Sequence, residues 1–131
     1  MAIDEAPVLV TMLAGADMSD AAAAAAQGQY HFVKQNTTAQ TVVICSSQGE
    51  EVFGVMYDKP ISGQAGAVAV SGVCKVMAGG AITIGNDVTV GADAQAEAAA
   101  TGDAIAGKAM TTGADNQLMT ILLRPSKTLA L

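Results

Sequence analysis

The residues of this chain that could do chemistry are few, and each can be asked what surroundings its chemistry needs. "GDAIAGKA", residues 102–109, comes within one residue of the phosphate-binding loop GxxxxGK[ST]. That loop needs a buried strand before it, glycine amides around the phosphates and a hydroxyl after the lysine to hold magnesium. Here Ala109 stands where the hydroxyl belongs and "AEAAAT" makes a poor strand lead, so nucleotide binding is not expected. "YDKP", Tyr57 to Pro60, is faintly similar to the lysine hairpin of a lipoyl carrier, but Pro60 follows Lys59 directly and an exposed turn lysine is the simpler reading. The single His31 sits between Tyr30 and Phe32 with no GxSxG nucleophile elbow anywhere, so a packed or hydrogen-bonded imidazole is expected. Cys45 and Cys74 are too far apart for a CxxC motif, and one histidine cannot complete a zinc site with them. Buried free thiols are the expectation, with a bridge left open. No catalytic residue, cofactor or metal is expected.

The elements that would position these residues are short and numerous. Period-two alternation and Gly, Asn, Asp and Pro signals predict strands over 30–34, 41–46, 52–56, 66–77, 82–84, 87–90, 94–98, 105–110 and 118–123. "GGAITIGNDVTVGADAQAEAA", residues 79–99, holds no His, Cys, aromatic or basic residue and reads as sheet-building material. Its two aliphatic-Gly steps, Ile84-Gly85 and Val90-Gly91, hint at a hexapeptide β-helix, but such solenoids need several coils, and glycine at hairpin bends explains them better. In "GAVAVSGVCKVMAGG" the alternation puts Val68, Val70, Gly72, Cys74 and Val76 on one face, and both faces are largely apolar, as in a strand covered on each side. A further short strand, Val8 to Met12, lies inside an otherwise arm-like leader. "SDAAAAAAQG" could form a helix of under two turns, capped by Ser19 or Asp20 and ended by Gly28. The expected architecture is mainly β: a small sandwich or barrel-like, β-tulip-type single domain. Its expected parts are an N-terminal arm over 1–18, an Ala-rich linker or short helix over 19–27, a β domain over 28–124 and a tail over 125–131.

Composition narrows the function. The chain is 51% hydrophobic but 3% aromatic and has no Trp, so aliphatic residues and Met must fill the core, which favours closely packed thin sheets over a wide ligand cavity. No uncharged stretch reaches the ~18–20 apolar residues of a spanning helix, and no membrane contact is expected. The start "MAIDEAPVLV" has acids where a secretory signal carries Lys or Arg, so the protein is expected to be made and kept in the cytoplasm, where the "NTT" triplet at Asn36 would meet no glycosylating enzyme. The net charge of −6 repels phosphate backbones, and direct nucleic-acid binding is not expected. The acids are uneven: Asp4, Glu5, Asp17 and Asp20 stand in the first twenty residues with no base among them.

The order of segments resembles a family. "QYHFVK" (29–34), "VFGVMYDKPISGQAGAVAVSGVCKVMAGGAITIGNDVTVGADAQA" (52–96), "TGDAIAGKAM" (101–110) and "LMTILL" (118–123) together resemble the small capsid decoration proteins of tailed double-stranded DNA bacteriophages, also called cement or head-stabilising proteins. The resemblance covers roughly residues 28–124 and is one of pattern, since no piece is diagnostic alone. The Ala run, the two cysteines and the tail depart from it. The resemblance implies a compact β domain without enzymatic activity that binds the major capsid protein on the outer surface of the expanded shell, as a homotrimer, and is made in the host cytoplasm before joining the virion. An extended apolar segment flanked by acids can add to a neighbouring sheet edge, so residues 2–15 are expected to reach the capsid protein or an adjacent copy, with Ile3, Asp4, Glu5, Val8, Val10 and Met12 as contact residues. Two other readings share the pattern: a β module of a tail or baseplate, and a small phosphate-binding or carrier domain using Gly102–Ala109 or Lys59.

Overall fold

The longest strand, β5 (Ala65–Met77), belongs to two sheets at once, and its bend sets the architecture of the computed structural model, which describes residues 7–20 and 27–126. The N–H of Tyr57 donates to the carbonyl of Ala67 (2.9 Å), while the Tyr57 hydroxyl accepts from the N–H of Lys75 (2.8 Å). In a straight strand those two residues would stand about 26 Å apart, eight steps at about 3.3 Å, far beyond one tyrosine. The strand therefore turns sharply between them. Gly72, at φ 94°, supplies a conformation that side-chain-bearing residues avoid, and the pairing register against the first strand shifts at the same level.

The first half of β5 closes a five-stranded barrel. It pairs antiparallel with β1 (Val8–Ala14) and with β4 (Gly54–Met56); β4 pairs with β2 (Phe32–Gln35), β2 with β3 (Thr41–Ile44), and β3 returns to β1 in parallel through Leu13 and Ala14. The second half of β5 starts another sheet in the order β5, β9 (Leu118–Leu123), β8 (Gly107–Ala109), β6 (Asp87–Val90), β7 (Ala96–Ala98). Met12, Ala14, Met18, Val33, Val42, Met56 and Val68 fill the barrel. The second core lies between the barrel wall and the second sheet and holds Phe32, Val55, Ala69, Cys74, Val76, Val88, Ile121 and Leu123 among others. Thus Val68 and Cys74, expected on one face, enter different cores, because Ala69 and Cys74 share a core across the irregularity at the bend.

The all-β class is as the alternation predicts. Eight of the nine β-domain strands predicted have observed bounds within two residues at each end, and the differences have local causes. Tyr30 adopts φ 62° in a turn and β2 starts only at Phe32. Ala94 adopts φ 62°, which delays β7 to Ala96. The strand predicted over 82–84 is reduced to a single bridge, Ile82 to Gly113, because the N–H of Asn86 turns back to the Thr83 carbonyl around Gly85 at φ 88°. The arm expected over 1–18 needs correction where it is described: residues 8–14 are a barrel strand, fixed by six partners on β5. The whole Ala run, residues 21–26, with the helix expected there, and residues 127–131 of the tail lie outside the described residues. Met18, just ahead of that run, plugs the barrel core, its N–H on the Pro60 carbonyl.

Candidate docking surface

The residues with potential chemistry end in structural positions. Gly107, Lys108 and Ala109 of the near phosphate loop form β8. Their amides are therefore committed to a sheet rather than arranged around an anion at a helix start. A Cβ on Gly107 would run into the Leu122 carbonyl, so this glycine allows β8 to approach β9. Lys59 pairs with Asp20 at 2.8 Å on the surface. The Nδ1 of His31 is 2.9 Å from the Gln29 carbonyl, and the ring of its neighbour Tyr30 meets Tyr57 edge-on with centroids 5.3 Å apart. Cys45 and Cys74 are buried thiols that form no disulfide with each other. Burial, helped by the Glu50 charge and partly offset by Lys34, pushes the Cys45 thiol up to about 12, which leaves it protonated and unreactive near neutral pH. Among the described residues no three His, Cys, Asp or Glu side chains gather as metal ligands, and no helix is long and apolar enough to cross a membrane.

One polar cluster organises the loop after β3. Glu50 receives Lys34 Nζ at 2.9 Å on one oxygen and the N–H groups of Ser46 and Ser47, at 2.8 and 2.7 Å, on the other. Burial alone would raise its pKa, but the Lys34 hydrogen bond, the two backbone donors and the Lys34 charge outweigh it and hold the carboxyl below the usual range. Sequence reading missed this cluster, since no spacing rule links Lys34 to Glu50 before the fold is known.

The fold leaves several large apolar side chains exposed. On β1, Val8 is 54% and Leu9 48% exposed, with Val10 and Leu13 also open. Met12, expected as a contact, is 8% exposed inside the barrel, opposite Gly66; it anchors the strand. Ile3, Asp4 and Glu5 lie outside the described residues. β3 meets β1 only at Leu13 and Ala14, so from Val8 to Met12 the strand has a neighbour on its β5 side alone among the described residues. The N–H of Leu13 points away from β5, to the Gln40 carbonyl. By alternation the backbone groups of Leu9 and Thr11 point the same way, along an open edge.

A second exposed face lies on the outside of the second sheet. Register places Val73, Lys75 and Met77 of β5, Leu118, Thr120 and Leu122 of β9 and Lys108 of β8 on one side. Their alternates Cys74, Val76, Met119, Ile121, Leu123 and Ala109 are buried on the other. Leu118 is 47% exposed, and Ile84 and Met110, at the same end of the sheet, are open as well. An antiparallel sheet commonly turns a polar face to water; this outer face is apolar over β5 and β9, and its charges, Lys75, Lys108, Asp87 and Glu97, are of both signs.

No family model matches this chain, and no curated protein matches it. Its fold is that of a solved structure, the N base of head fiber gp8.5 in bacteriophage phi29, with a TM-score of 0.69 at 18% sequence identity. The alignment covers 94% of this chain and 98% of that one. The likeness thus runs through both the barrel and the second sheet.

Proposed function

We propose that this protein is a non-enzymatic structural component of a phage virion that binds the outer surface of the expanded capsid and stabilises it. The observation that carries the reading is the pairing of two exposed apolar surfaces with a body whose candidate chemical groups are all engaged in holding the fold. The shared fold with a phage head-fiber base supports it. The partner is the major capsid protein, together with further copies of this chain as a homotrimer. Ile3, Asp4, Glu5, Val8 and Val10 form the contact set toward the capsid or a neighbouring copy. If the chain binds the expanded lattice more tightly than the unexpanded one, each bound copy favours the mature shell by that difference, and many copies multiply a modest contact.

Cryo-electron microscopy of the parent particle tests the reading. Density fitting this barrel and second sheet on the outer capsid surface supports it; the same density in a tail or baseplate moves the protein to that structure and overturns it.

A further inference from the structure

β1 and β9 share one edge of β5 and meet there end to end. β4 and β1 pair with the same stretch of β5 and so take its two opposite edges, and Tyr57, following β4, marks the β4 edge. Beyond the bend the N–H groups of Lys75 and Met77 point to that same side, to the Tyr57 hydroxyl and the Tyr30 carbonyl; the Tyr30 N–H is itself bound to the Met56 carbonyl of β4. β9 therefore lies along the other edge, in line with β1. Leu123, the last residue of β9, stands opposite Gly72, and Val8, the first of β1, stands opposite Ser71, so the two strand ends face adjacent residues of β5.

The chain leaves β9 into a groove at this junction. The N–H of Arg124 donates to the Ala106 carbonyl at 2.8 Å, and Pro125, without an N–H, ends the ladder. Among the described residues, Ile105, Arg124, Pro125 and Ser126 line a groove of about 380 Å³. Val8 and Leu9 of the neighbouring strand end are exposed, and β1 carries no charge. Arg124 is exposed and pairs with no carboxylate among the described residues. Asp103, two residues before Ile105, accepts the N–H of Ala100 instead, at 2.9 Å.

We propose that the corner where β9 ends and β1 begins is a single binding surface, and that its groove takes an acidic side chain of the capsid protein onto Arg124. A guanidinium matches a carboxylate with two parallel hydrogen bonds, and apolar walls such as Ile105 and Pro125 keep water from weakening them. The inference rests on the capsid reading for its partner and on Val8 as a contact residue; it adds the groove, the cation and the sign of the group that meets it. The far end of β9, at Leu118, is not part of this surface.

The test is co-sedimentation of the full chain with expanded shells at low and high salt. Arg124→Glu should weaken binding by about tenfold or more, and Arg124→Lys by less. Arg124→Gln should bind more weakly than wild type and lose part of the salt dependence. Leu118→Asp should stay within about twofold of wild type. Arg124 spends no side-chain bond on the fold, and unchanged circular dichroism checks that each variant is folded. Binding that Val8→Asp weakens and Arg124→Glu does not would overturn the groove and leave the capsid reading standing. Equal losses in Arg124→Glu and Leu118→Asp, or an Arg124-dependent association between copies with no Arg124 effect on shell binding, would also overturn it. A wild type that binds no shell would remove the capsid reading and this inference with it.

Discussion

β1 and β9 are similar strands with different fates. "VLVTMLA" and "LMTILL" are both short, apolar and free of charge, and both pair antiparallel with β5, one before its bend and one after. β9 has β8 on its other side and buries Met119, Ile121 and Leu123. β1 has β3 beside only its last two residues and leaves Val8, Leu9, Val10 and Leu13 open. Composition alone does not separate a core strand from a contact strand. The second neighbour does, and it is set by topology.

The sharpest way to break this comparison is to truncate one residue on each strand. Ile121→Ala removes a fully buried side chain from the second core and should cost about 2–5 kcal/mol, whereas Leu9→Ala should cost about 1 kcal/mol or less. Urea midpoints compare them; equal losses would mean that β1 is as deeply fixed as β9. The bend in "TIGN" comes next. Val at Gly85 meets open space but a φ of 88°, so the penalty of about 1–2 kcal/mol is backbone strain alone. Val at the exposed Ala92 should be nearly silent in the same thermal melts.

The Tyr57 hydroxyl helps brace the bend between the two halves of β5. Tyr57→Phe leaves the N–H of Lys75 without that acceptor and should cost about 1 kcal/mol, loosening amide exchange at Lys75 before it affects β1. The smallest effect concerns Glu50. Its carboxyl titrates lower in the folded chain than in the unfolded one, so its contribution is present above the unfolded value and fades as pH falls through the folded value. Glu50→Gln should lower stability by about 0.5–1 kcal/mol at neutral pH, and the gap from wild type should close in strongly acidic buffer. A gap that stays constant with pH would show that the charge contributes nothing.

Much of the β body was legible in the sequence. Strand 87–90 alternates strictly and 118–123 is an apolar run broken by Thr120 alone, each set off by turn residues, and their bounds agree with the structure. Ends set by left-handed residues without glycine were not legible: neither Tyr30 nor Ala94 is of a type that signals a positive φ. The division of β5 between two cores depends on one glycine in an otherwise regular alternation, and nothing local distinguishes Gly72 from a strand glycine. Of the candidate contact residues, Val8 and Val10 are exposed and Met12 is not. Period two places all three on one side of β1, but only Met12 lies deep enough in the barrel to be covered. The correction at β1 also changes a deletion experiment. Removing residues 2–15 would take out a barrel strand, so a leader deletion must stop before Pro7.

The central claim is that the chain acts by binding the mature shell through exposed surfaces, and co-sedimentation with expanded and unexpanded shells tests it most directly. The intact protein should saturate expanded shells and bind unexpanded ones at least about tenfold more weakly, and Val8→Asp, at a position already open to solvent, should reduce that binding while the protein stays folded. Equal binding to both kinds of shell, or none to either, would contradict the account.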